Sequence, residues 1–323
     1  MATKRIGWVD AAKGIAIIAV IIYHTNCSPA IIHSLMGSFQ IPLFFFLAGY
    51  TFHVRSVGET ARRSMPRLLI PWAVLSAYGS MAYNLAGMGY AAPDLVLTTF
   101  KAMLLNVSYS VTGQLVVGAS WFLLALFGAR LMLAFVAGRL DGSGHPDLIL
   151  LVASVAAGAV SIALSRWSKV AIPLNLPAVL MGFAFMGCGH CARRMGLFDF
   201  EERSWGVSLR FVFALALWVA CMPLSDMDLG YGYYRGLAVA APLGALAASV
   251  AICTACVEFE RRVPALSHVL EAVGQRSMAI YCVHAVEIVG PWSVLDPVAA
   301  LPMGWVLVLA FRVALDFCLA LHV

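Results

Sequence analysis

The chain has 323 residues, of which 62% are hydrophobic and only 11% charged, with a mean hydropathy of +0.89 and a formal net charge of +5. Soluble domains carry about 25% charged residues, so a water-soluble globule is excluded, and so small a positive excess gives no reason to expect a nucleic-acid partner. The apolar residues come in continuous runs of roughly 20, long enough to cross about 30 Å of hydrocarbon, and they lack the alternation of a membrane β-barrel.

The expected fold is all-α: a polytopic integral membrane helical bundle, one membrane-embedded domain over 1–323, with about ten transmembrane helices. In chain order the expected spans are 8–27, 36–55, 67–87, 114–136, 147–165, 174–192, 207–223, 236–257, 275–291 and 302–322. The first is too long for a cleaved signal peptide. The run 93–109 is shorter and reads as a helix at the interface or re-entering the membrane. Lys and Arg set the orientation. With the N-terminus inside, the cytoplasmic ends collect Lys4, Arg5, Arg55, Arg62, Arg63, Arg67, Arg130, Arg139, Arg193, Arg194, Arg203, Arg210, Arg261, Arg262 and Arg276. The outer loops collect only Lys101, Arg166, Lys169 and Arg235, so both termini are expected in the cytoplasm.

Span 1 carries the stretch KGIAIIAVIIYHT, with Lys13 and His24 at its two ends. Eleven helical steps turn about 1100° and rise about 16 Å, so the two side chains share a face. Asp10 lies one turn before Lys13 and can pair with it. Ionisable groups at membrane depth usually face a bundle interior or a water-filled cavity. Equally, Asp10 and Lys13 can simply mark the cytoplasmic end of the helix, with Lys13 snorkelling. In span 9, Ser277, Tyr281 and His284 share one face, with Glu287 three residues beyond; this is an inner polar site or a satisfied patch between helices. Arg312 and Asp316, four apart in the last span, read as a structural tie. The eight cysteines do not form a disulfide framework. Cys188-Gly-His-Cys191 has the spacing of a redox motif but lacks the βαβ context that chemistry needs.

Several stretches, in order along the chain, together resemble the membrane-bound acyltransferase-3 family. They are RIGWVDAAKGIAIIAVIIYHT, FQIPLFFFLAGYTF, RRSMPRLLIPW, ASWFLLALFGARL, MGFAFMGCGHCARR and GQRSMAIYCVHAVEI. The opening, with a basic residue eleven positions before a histidine, looks like the branch of fucose 4-O-acetylase-type and related sugar O-acetyltransferases. The resemblance implies an acyl-CoA-dependent O-acyltransferase of the bacterial cytoplasmic membrane. It moves an acyl group, most often acetyl, from a cytoplasmic acyl-CoA to a hydroxyl of an envelope glycan or lipid-linked sugar. It implies His24 as the catalytic residue, base or acyl carrier, with Lys13 and Asp10 beside it on the helix. Imidazole suits the task, because a hydroxyl needs a base within hydrogen-bond reach.

Arg62, Arg63 and Arg67 would hold the donor's phosphates, for which guanidinium forks are well shaped; they also fit an ordinary positive-inside cluster. Trp121, Tyr281, His284, Glu287 and Gln40 would support or line the site. Acetyl-CoA is a donor substrate in this reading, and no metal is expected. Expected partners are the acyl-CoA, the sugar acceptor and membrane lipids; a homo-oligomer is left open, since no interface signature stands out in the sequence. Three positions depart from the family pattern: Gln40 where many members have histidine, Ala48 where serine is common, and Lys13 where arginine is common. Gln40 cannot take a proton, which removes a second base there. Tyr231, Tyr233, Tyr234, Asp226 and Asp228, in the outer loop after span 7, could meet a sugar. No appended soluble domain is expected after span 10. The other reading is a transporter of a small polar substrate along the same polar stripe, which predicts broken helices in paired repeats; no repeat is visible.

Overall fold

The computed structural model describes residues 5–25, 28–88, 92–107, 117–140, 142–168, 171–199, 205–289 and 292–321. Lys4, Lys169, Arg203 and the end of the first expected span lie outside these. Helices dominate. They are α1 (Gly7–Tyr23), α2 (Ala30–Gly37), α3 (Gln40–Tyr50), α4 (Val57–Met88), α5 (Ala92–Leu105), α6 (Trp121–Arg139), α7 (Pro146–Trp167), α8 (Leu176–Arg194) and α9 (Trp205–Cys221). A two-stranded sheet, β1 (Ser225–Asp228) and β2 (Tyr233–Gly236), precedes α10 (Ala240–Arg262), α11 (Pro264–Gln275), α12 (Ser277–Glu287), α13 (Asp296–Ala299) and α14 (Gly304–Ala320).

Each expected span overlaps helix, although residues 51–55 of the second are not helical. The stretch 36–55 is carried by α2 and α3, separated at Ser38 and Phe39, and 275–291 by α12 after a break at Arg276. Five helical stretches among the described residues are long and apolar enough to cross a membrane: Ala30–Tyr50, Gly118–Arg139, Pro146–Trp167, Pro173–Arg194 and Ala240–Arg262. Leu95–Leu105 and Leu209–Leu224 are shorter apolar helices. Large apolar side chains point outward on these helices, among them Val152, Val155, Leu209 and Phe213. In water such a surface would drive aggregation; against lipid it is the surface a spanning helix needs.

The chain packs as two compact units. One contains 1–47, 196–226 and 240–323; the other contains 48–195 and 227–239. In the first unit α1 is central. It packs on α11, α10, α2, α12 and α14, and most of its residues from Trp8 to Ile21 are buried. The contact with α11 is backbone on backbone: a Cβ placed on Gly14 would collide with the carbonyl of Leu270, and one on Gly274 with the carbonyl of Asp10. Inside a membrane there is no hydrophobic drive between helices, so small residues that permit close approach supply the packing.

In the second unit α7 and α8 form an antiparallel pair. Arg194, in the last turn of α8, reaches Asp147 in the first turn of α7 at 2.6 Å, and Gly187 leaves room for Ser154 between them. Asn175 starts α8 from a left-handed conformation (φ 48°), accepts from the Ala178 amide and donates to the carbonyls of Leu229 and Gly230. Tyr234 is turned inward, its hydroxyl 3.1 Å from that of Ser161, so it is not among the residues of this loop that could meet a sugar. The seven described cysteines are all free thiols.

Candidate active site

The first unit brings His24, His284, Glu287, Arg312 and Asp316 together where three helices meet. α1 ends at Tyr23, and His24 caps it, with its amide still bonded to the carbonyl of Val20. The ring bends back as well: Nδ1 of His24 lies 2.9 Å from the same Val20 carbonyl. A carbonyl can only accept, so Nδ1 carries the hydrogen and Nε2 keeps the lone pair. The neighbouring Thr25 is buried, donating to Ile21 O at 2.8 Å.

α12 brings His284 and Glu287, one turn apart, and α14 brings Arg312 and Asp316. His284 is fully buried, and its ring centre lies 5.2 Å from that of His24, tilted by 56°. Its Nδ1 is 3.0 Å from Oδ2 of Asp316 and 3.1 Å from Oε2 of Glu287. The arginine fork closes on Glu287, Nε to Oε1 at 2.6 Å and Nη2 to Oε2 at 2.9 Å. Its remaining nitrogen, Nη1, donates to the carbonyl of His24 at 2.5 Å and toward Thr25 Oγ1 at 3.4 Å. The last helix is thereby fastened to the end of the first.

This corrects the sequence reading of α14. Arg312 and Asp316 are near enough to attract one another, but they are not simply a tie within one helix: Arg312 reaches across to Glu287 and Asp316 to His284. The cluster holds two carboxylates and one guanidinium. With His284 neutral and its hydrogen on Nδ1 the cluster keeps one negative charge, which a proton arriving on His284 would compensate. Two polar atoms are left without a hydrogen-bond partner among the described residues, Nε2 of His284 and Oδ1 of Asp316. An unpartnered buried atom of this kind is expected where a substrate group is to be met.

His284, Glu287 and Asp316 each offer a ligand atom, all within 4.8 Å of one another, and could hold a metal ion. Here Glu287 already has both oxygens on a guanidinium, whose charge opposes a cation beside it.

The other sequence candidates fall in separate places. Lys13 and Asp10 form the expected ion pair at 3.0 Å, about 16 Å along α1 from His24. Gln40 opens α3 in the same unit, buried, with Oε1 unpartnered among the described residues. Tyr281 is buried one turn before His284.

Arg62, Arg63, Arg67 and Trp121 belong to the second unit. The arginines lie on the first turns of α4, whose start is capped by Ser56 accepting from the Glu59 amide. A helix N-terminus is already partly positive, so arginines there concentrate positive field. Glu59 takes up Arg63 at 2.9 Å and Arg55 at 3.5 Å; Arg62 and Arg67 have no ion-pair partner among the described residues. Trp121 is buried at the head of α6, and its carbonyl accepts from Asn106 at 3.0 Å.

Sequence reasoning reached His24, His284 and Glu287 and missed Arg312 and Asp316 as parts of their site. A signal was present: two charged residues deep in an apolar run. Over residues 6–321 the chain matches a family of acyltransferase domains, acyltransferase-3. No curated protein and no solved structure matches it.

Proposed function

The chain belongs to the acyltransferase-3 family and is a membrane acyltransferase; from that premise we propose that it transfers an acyl group, acetyl in the first instance, from coenzyme A to a hydroxyl of an envelope glycan or lipid-linked sugar. The observation that carries the reading is the His24 imidazole at the end of α1, facing that of His284 inside a buried cluster of acids and arginine. Acyl transfer needs a base or nucleophile in a water-poor site, held by a partner so that its lone pair points at the substrate. Nδ1 of His24 is held by Val20, which leaves Nε2 for that task.

Donor binding falls to the arginines at the head of α4. Coenzyme A carries a pyrophosphate and a ribose phosphate, and Arg62 and Arg67 have guanidinium groups not already spent on carboxylates. The Lys13–Asp10 pair marks the cytoplasmic end of α1, the side on which the donor is made. The enzyme acts in the bacterial cytoplasmic membrane in this reading.

The test is acetyl transfer by purified protein in lipid nanodiscs, using acetyl-CoA and a mixture of envelope glycans. Replacing His24 with alanine is expected to lower turnover by at least about 100-fold while acetyl-CoA still binds. Folded protein that neither binds acetyl-CoA nor acetylates any acceptor would overturn the enzyme reading in favour of a transporter.

A further inference from the structure

We propose that the two facing imidazoles divide the reaction: Nε2 of His24 carries the acyl group, and Nε2 of His284, oriented by Asp316, takes the proton of the accepting hydroxyl. This rests on the acyl-transfer reading above and assigns its two chemical steps to different side chains.

Both rings are anchored through Nδ1, so both present a lone pair on Nε2. Their surroundings differ in charge. Behind His284 stand two carboxylates at 3.0 and 3.1 Å, only one of which is taken up by an arginine. A proton arriving at Nε2 makes a cation that Asp316 stabilises at contact distance, both groups being buried. Behind His24 stands a neutral carbonyl, and the guanidinium of Arg312 is bonded to that residue's own backbone oxygen. Among the described residues no carboxylate is bonded to the His24 ring, so a positive charge there is not stored: a proton is not held, and an acyl-imidazolium stays reactive toward the acceptor. His24 is therefore suited to act as a nucleophile and His284 as a proton acceptor. With ring centres 5.2 Å apart, an acyl group bonded to one ring lies beside the other. The unpartnered Nε2 of His284 is the atom left open for the hydroxyl.

The steps balance. Nε2 of His24 adds to the thioester carbonyl, the C–S bond breaks, and coenzyme A leaves as the thiolate, giving an acyl-imidazolium. The hydroxyl oxygen of the acceptor then adds to the same carbon while its proton passes to Nε2 of His284. The C–N bond breaks and returns its electron pair to His24, releasing the ester. The proton on His284 passes to the thiolate, so thioester and alcohol have become ester and thiol. Glu287 and Arg312 do not touch the reacting atoms in this scheme. They position the two rings, one through Nδ1 of His284 and the other through the His24 backbone.

The test is rapid mixing of nanodisc-held protein with radiolabelled acetyl-CoA, reading thiol release and protein-bound label, with methyl glycosides and water as acceptors. His284→Gln keeps a neutral hydrogen-bonding side chain. It is expected to release about one coenzyme A per protein, retain the label on the α1 segment and then stall, with turnover down about 100-fold or more. His24→Ala is expected to show neither burst nor label. Asp316→Asn is expected to keep the burst and lose turnover, with partial recovery in Asp316→Glu; damage to the fold would lower burst and turnover together. Turnover by His284→Gln within about threefold of the parent would overturn the division of labour. So would a stalled variant that binds acetyl-CoA but holds no label. If the parent protein itself acetylates nothing, the functional reading fails and not this assignment alone.

Discussion

Arg312 makes contacts that no other residue could make together. Its fork grips both oxygens of Glu287 and its third nitrogen reaches the backbone of His24. Removing one member of a buried ion pair leaves the other charge uncompensated, at a cost of about 3–5 kcal/mol. Arg312→Ala is thus expected to lower the thermal midpoint in detergent sharply and to abolish transfer. Arg312→Lys keeps the charge but loses the planar fork, so it should be more stable than the alanine variant yet still slow, because one ammonium cannot hold Glu287 and His24 at once. Thermal unfolding and turnover of the two variants side by side check this; equal stability of both would refute it. At this scale the sequence was informative about chemistry and silent about partners. His24 was legible as an ionisable group in an apolar helix, and so was the Lys13–Asp10 pair, because both follow from helical spacing. The Glu287–Arg312 pair was not, since it joins residues 25 apart through a fold that spacing within one helix cannot predict.

Among the elements, α1 and α11 depend on two glycines that face each other's backbone. A methyl group at Gly274 has no flexible neighbour to displace, only the carbonyl of Asp10 and the amide of Gly14. Gly274→Ala should therefore push the helices apart at a cost of about 1–3 kcal/mol and disturb the Asp10–Lys13 pair with them. Thermal stability of the variant in nanodiscs measures this, and an unchanged midpoint would show that the two backbones are not in contact. The helical runs themselves were plain from composition. Their interruptions were harder to see. The break at Ser38 and Phe39 and the one at Arg276 lie inside stretches that hydropathy reads as continuous, because window averages do not register a two-residue change of backbone direction. Those breaks place α3 and α12 as separate short helices, and α12 carries His284 and Glu287.

For the molecule as a whole, the Lys and Arg distribution predicts both termini in the cytoplasm. His145 lies in the exposed connection between α6 and α7, and Tyr231 between β1 and β2. A maleimide that cannot cross membranes should label Tyr231→Cys in intact cells and His145→Cys only after permeabilisation; the reverse pattern would invert the topology. The bond between Arg312 and His24 spans 288 residues of chain, and this bears on biogenesis. A ribosome delivers α1 to the membrane long before α12 and α14 exist, so His24 waits there without His284 or the arginine clamp. Chains released early, however well inserted, lack Asp316 and the arginine clamp. Acquisition of activity during synthesis should then come as a single late step, once α14 leaves the translocon and closes on a helix made at the start.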